Sequence, residues 1–134
     1  MTQAKTETAA TAQGLRILVV DDNRDAAESI AMLLELDGHQ VEVAYGALEA
    51  LDKARQLDPE AMLLDLGLPQ IDGYELARRL RADPATRDAV LIALSGYGEP
   101  EHLERSRAAG FDHHLVKPAE PQALSDLLNS LRKK

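Results

Sequence analysis

The sequence predicts an α/β fold: a doubly wound, five-stranded parallel sheet in the order 2-1-3-4-5. Three observations predict it. From Leu15 onward, short apolar runs alternate with amphipathic helical stretches through five rounds, and strands separated by helices pair in parallel. The first, third and fourth runs are apolar on both faces, as interior strands of a parallel sheet are. The second and fifth carry polar residues and belong at the edges, an arrangement that the flavodoxin-like strand order satisfies.

Taken in order, residues 1–14 have no apolar period and read as a disordered tail or linker, leaving 15–134 as one folded domain. Ile17-Leu18-Val19-Val20 is a buried strand, followed by Asp21-Asp22-Asn23. Ala26, Ala27, Ile30, Leu33 and Leu34 then recur at helical spacing, and Gly38 closes that helix because a left-handed residue costs glycine nothing. Val41–Tyr45 alternates like a half-exposed strand. Ala47, Leu48, Leu51 and Ala54 form a second helical face, stopped by Asp58-Pro59. Ala61–Leu64 is a second wholly apolar strand ending in Asp65. The loop 66–70 leads to a helix with Leu76, Ala77 and Leu80, stopped before Pro84. Val90–Leu94 is a strand ending in Ser95. Pro100 sits where a helix can start and Gly110 where it closes. His113–Val116 is a short mixed strand ending in Lys117-Pro118. Leu124, Leu127, Leu128 and Leu131 make the apolar stripe of the last helix, more consistent with core than with a partner-binding face.

Composition excludes several functions. The chain has 134 residues and a formal net charge of −8, which argues against binding nucleic acid or anionic lipid. It has no cysteine, so it holds no disulfide framework, thiolate metal site or cysteine nucleophile, and this fits a reducing cytosol. No apolar stretch approaches the roughly 20 residues needed to span a bilayer, and the N-terminus lacks the apolar centre of a secretory signal.

Strands of a parallel sheet end on one side, and ligands bind there. That rim collects Asp21, Asp22, Asp65, Ser95 and Lys117 from four separate places in the sequence. Clustered carboxylates repel one another unless a cation compensates. A hard divalent cation such as Mg2+ suits oxygen ligands, and Lys117 supplies a fixed positive charge. With Ser95 as a hydrogen-bond donor and a carboxylate as nucleophile, the set describes a site for a phosphoryl group. Each residue also has a plainer reading: Asp21 and Asp22 as caps of the first helix, Asp65 as a cap or turn residue, Lys117 and Ser95 as surface groups. Their joint position at the strand ends favours the site. Other candidates fail. Gly96-Tyr97-Gly98 follows the wrong strand for a dinucleotide fingerprint, and Glu101 stands at the third glycine position. His113 and His114 are adjacent in a strand and point to opposite faces. His39 reads as a loop residue and His102 as a helix-surface residue.

At these residues the sequence resembles the receiver domain of two-component response regulators. The matching segments are Ile17–Asn23, Leu63–Pro69 with Asp72-Gly73 following, Ala93–Gly96 and Val116-Lys117-Pro118. The resemblance covers about residues 15–132. The resemblance implies that Asp65 is the phosphoacceptor, and that Asp22 is a direct Mg2+ ligand with Asp21 acting through water. It implies that Gly67 offers its carbonyl to the metal, Ser95 reaches toward the phosphoryl group, and Lys117 pairs with it. The bond before Pro118 is usually cis in that family. Three residues before the lysine the family usually has Tyr or Phe as a switch ring; here it is His114, which can rotate likewise but is smaller, polar and titratable near neutrality. Gly67 and Tyr97 stand where the family tunes phosphoryl lifetime. The segments Ser95–Pro100 and Ala109–Pro118 look most like receivers of hybrid histidine kinases, although Met1 and the short tail favour a stand-alone chain.

The resemblance therefore implies a cytoplasmic phosphoacceptor switch rather than an enzyme. Its partners would be a histidine kinase or histidine phosphotransfer protein and a downstream protein, since about 120 residues are used up by the five strand–helix units. The rivals are a phosphorylation-independent binding module of the same fold and an aspartyl-phosphate phosphatase. The latter needs a second aspartate where Gly67 stands. A flavin carrier is weaker still, in a chain with 3% aromatic residues.

Overall fold

The computed structural model describes residues 14–68, 71–95, 100–117 and 120–132. In chain order the elements are β1 (Arg16–Val20), α1 (Arg24–Leu36), β2 (Gln40–Ala44), α2 (Ala47–Leu57), β3 (Ala61–Asp65), α3 (Gly73–Ala82), β4 (Val90–Ser95), α4 (Pro100–Ala109), β5 (His113–Val116) and α5 (Pro121–Arg132). The strands form a 5-stranded sheet in the order β2-β1-β3-β4-β5, and every pair is parallel. The predicted edge and interior strands are therefore the observed ones. The expectations for the first 13 residues, Pro69, Tyr97, the 96–98 glycine turn and the peptide bond before Pro118 fall outside the described residues.

Alternation along the interior strands builds a core on each face. Leu18, Val20, Met62, Leu64, Leu91 and Ala93 pack toward α2 and α3. Ile17, Val19, Leu63, Ile92 and Leu94 pack toward α1 and α5 through Ala27, Leu34, Leu124 and Leu128. β3 is buried along its whole length, as a strand covered on both faces must be. The Leu124/Leu128 stripe belongs to this core, as its spacing indicates.

Local chemistry sets the ends of the elements. Gly38 (φ 94°) and Gly110 (φ 107°) take the left-handed conformation after α1 and α4. Asp58 ends α2 at φ 50°, a region in which Asp is among the few tolerated non-glycine residues. His39 does lie in a loop, but it is 5% exposed and its Nδ1 accepts the Leu15 backbone N–H at 3.0 Å, which ties the start of β1 to the turn before β2.

Candidate phosphoryl and metal site

The register explains why the acids meet. Val20 pairs with Leu64 across β1 and β3, so the next residues, Asp21 and Asp65, emerge side by side at the sheet's carboxyl edge. Asp65 pairs with Leu94, which brings Ser95 to the same rim. Ser95 in turn pairs with Val116, and the Lys117 N–H donates to the Ser95 carbonyl at 2.7 Å. That bond anchors Lys117 where β5 ends.

Oxygen atoms of Asp21, Asp22 and Asp65 all lie within 4.8 Å of one another. Ligands of an octahedral Mg2+ stand at most about 4.1 Å apart, twice the usual ligand distance, so these hard oxygens suit such an ion once the widest pair draws in by up to about 0.7 Å. Asp21 is fully buried, Asp65 is 7% exposed, and Asp22 faces solvent, which leaves a side open to water and to an incoming group.

Lys117 compensates the cluster. Its Nζ lies 3.3 Å from Asp21 Oδ2 and 3.3 Å from Asp65 Oδ2. The remaining oxygens are held by backbone: the Asn23 N–H donates to Asp21 Oδ1 at 3.0 Å, and the Gly67 N–H donates to Asp65 Oδ1 at 2.9 Å. Burial raises the Asp21 pKa, and the neighbouring Asp65 charge adds to it. The Asn23 N–H and Lys117 oppose this without reversing it. For Lys117, burial favours the neutral amine, but the two carboxylates together outweigh it and hold the ammonium above its usual range. A cleft of about 530 Å³ opens beside this pair, lined by Asp21, Asn23, Ala26, Ile30, Leu94 and Lys117.

The capping alternative for the two N-terminal acids fails. The cap of α1 is Asn23, whose side chain accepts from the Ala26 N–H at 3.1 Å. Asp21 is thereby left to the rim. Gly67 lies beside Asp65, and a Cβ there would come no nearer than 3.6 Å to Asp65 Oδ1. His114 is joined to the site: its Nε2 is 2.7 Å from Ser95 Oγ, and its Nδ1 is 2.9 Å from Ser106 Oγ. Ser106 did not stand out in the sequence. Its only signal is its position eight residues before His114, across the turn at Gly110, which sets it beside the ring.

The response regulator receiver domain family profile matches residues 17–129. An uncharacterized 14.6 kDa protein of Leptolyngbya boryana is 36% identical over 112 residues, spanning 84% of this chain and 86% of that one. The DNA-binding dual master transcriptional regulator RpaA of Synechocystis is 31% identical over 109 residues, spanning 81% of this chain and 45% of RpaA. The chain spans half or less of the length of the response regulators MprA of Mycobacterium avium and RpaA. Among solved structures, the receiver domain of sensor histidine kinase PA1611 from Pseudomonas aeruginosa has a TM-score of 0.82 at 29% identity, with 90% of this chain and 99% of that one covered. That structure holds a magnesium ion in its active-site cleft.

Proposed function

Because this chain belongs to the response regulator receiver domain family, we propose that it takes a phosphoryl group from the histidine of a kinase or phosphotransfer protein onto Asp65. The observation that carries this reading is the meeting of Asp65 with Asp21, Asp22 and Lys117 at one rim. In the transfer, a carboxylate oxygen of Asp65 attacks phosphorus in line with the phosphorus–nitrogen bond of the donor. That bond breaks, and its electron pair returns to the donor imidazole.

Asp21, Asp22, Asp65 and the Gly67 carbonyl would hold Mg2+, which when bound neutralises the carboxylates and the transferring oxygens. The protein supplies the rest. The Gly67 N–H fixes one Asp65 oxygen, which orients the carboxylate for attack. Lys117 exchanges its contact with Asp65 for a contact with the phosphoryl oxygens, so charge is met by charge. Ser95 donates its hydroxyl to the same group. Movement of Ser95 and Lys117 would then shift the face formed by α4, β5 and α5, which a downstream protein reads.

The chain is a signalling module in this reading, and its only chemistry is its own phosphotransfer and hydrolysis. Among the described residues no helix is long and apolar enough to cross a membrane. The net negative charge disfavours nucleic acid for these 134 residues, which match less than half of the DNA-binding regulator RpaA.

Acetyl phosphate with Mg2+ should label the protein, and chelation of the metal should stop it. Asp65→Asn should remain unlabelled. Labelling of the Asp65→Asn variant at the wild-type level would overturn the assignment.

A further inference from the structure

We propose that Ser106 is a positioning residue that acts through His114 to set the direction in which the Ser95 hydroxyl donates. The inference rests on the reading of Asp65 as acceptor and Ser95 as the hydroxyl facing it. It goes beyond that reading by giving α4 a defined chemical link to the site.

The observation is a chain of three side chains. Ser95 on β4 is 4% exposed and Ser106 on α4 is 2% exposed. Between them the half-buried His114 ring on β5 places Nε2 2.7 Å from Ser95 Oγ and Nδ1 2.9 Å from Ser106 Oγ. Both ring nitrogens are thus held by hydroxyls of two other elements. A ring without polar atoms could fill this space, but it could not make these two bonds.

A neutral imidazole has one N–H donor and one acceptor nitrogen, and a serine hydroxyl has a single proton to give. The chain therefore has two directions. In one, Ser95 donates to Nε2 and the Nδ1–H donates to Ser106 Oγ. In the other, the Ser106 hydroxyl donates to Nδ1 and the Nε2–H donates to Ser95 Oγ, so the Ser95 proton can be given to an oxygen on Asp65. The first direction spends the proton that the phosphoryl group needs. The second supplies it without breaking the Ser95–His114 bond. Passing from one to the other removes a proton from Nδ1 to water and adds one at Nε2 from water, so the ring stays neutral.

Ser106 favours the second direction, because its hydroxyl gives the deprotonated Nδ1 a donor in the part-buried space between α4 and β5. A phosphoryl group at Asp65 and a donating Ser106 on α4 accordingly select the same tautomer. By reciprocity, anything that moves Ser106 when α4 binds a partner changes the readiness of Ser95 to donate.

The test combines nitrogen-15 NMR of the His114 ring with labelling by acetyl phosphate and Mg2+, on the full chain. In the wild type, beryllofluoride with Mg2+ should shift the ring toward the Nε2–H tautomer. Ser106→Ala should change the tautomer balance even in metal-free protein, and should slow labelling by about threefold to tenfold, the range of one neutral hydrogen bond. Ser106→Thr, which keeps the hydroxyl, should restore both. In a His114→Phe background, Ser106→Ala should have no further effect on the labelling rate. A labelled wild type whose Ser106→Ala variant keeps both the His114 tautomer balance and the labelling rate would overturn the relay alone. A wild type that no small donor labels would overturn the acceptor reading, and the relay with it.

Discussion

Asp21 is a fully buried carboxylate with a second carboxylate beside it, and its ionised form is held at a cost. Its pKa is raised, first by burial. A carboxyl group whose folded pKa lies above its unfolded value binds its proton more tightly in the fold. Its stabilising contribution is present below the unfolded value, near 3.8, and is lost as pH rises through the raised folded value. Asp21→Asn should therefore melt a few degrees above the wild type at neutral pH in metal-free buffer. The gap should close as pH falls toward 3.8, and a set of thermal melts across pH checks both halves. Lys117 sits on the other side of the same balance. Its ammonium occupies the two carboxylates that a cation would use. Lys117→Met should therefore bind Mg2+ more tightly than the wild type while being labelled about tenfold or more slowly, because the transferring oxygens lose their fixed positive partner. Titration calorimetry and labelling rates on the same preparation separate the two effects.

At the scale of elements, the strands were readable because burial on both faces leaves no choice of residue type. Ile17–Val20, Ala61–Leu64 and Val90–Leu94 are apolar because helices cover both faces of the sheet. Boundaries were less sharp. β1 begins at Arg16 and β2 at Gln40, polar residues that pair with each other at the end of the ladder, so apolar periodicity could not include them. β2 also stops at Ala44 and leaves out Tyr45, which instead stacks under Arg24 at 4.0 Å and donates its hydroxyl to Glu28. Contacts that join distant elements through polar side chains were not legible at all. Arg81 on α3 is the main case. It donates to the carbonyls of Gly110, Ala89 and Arg87 and pairs with Asp112 at 2.8 Å, while Asp112 also accepts the Leu91 N–H at 2.9 Å. One side chain thus gathers α3, the start of β4 and the turn before β5. Arg81→Met should destabilise the protein by about 2–3 kcal/mol, since the part-buried carbonyls of Gly110 and Ala89 lose their donor together. Asn23→Ala should cost about 1 kcal/mol, the usual worth of a helix N-cap. Denaturant unfolding of both variants measures the difference.

The whole molecule carries a net charge of −8, and three of its acids share one rim. The rim itself was legible because the strand order dictates which loops meet, and Asp21, Asp65, Ser95 and Lys117 each stand at or one step from a strand end. The Ser95–His114–Ser106 chain was not, because helix α4 carries Ser106 to the ring by packing rather than by any pattern in the sequence. A cation that binds the folded rim and not the unfolded chain stabilises the fold by mass action, about 2.7 kcal/mol at a hundredfold excess over its Kd. Mg2+ should therefore raise the melting temperature of the wild type, and this rise should shrink sharply in Asp22→Ala, whose exposed carboxylate supplies one corner of the cluster. One carboxylate of this rim, Asp65, is the proposed acceptor of the phosphoryl group. The most direct test is to phosphorylate the wild type with a small donor and Mg2+, trap the acyl phosphate by borohydride reduction, and locate the modified residue by peptide mass spectrometry. Modification is expected at Asp65 alone, and only with Mg2+ present. Modification at Asp21, Asp22 or a residue away from the rim would contradict it.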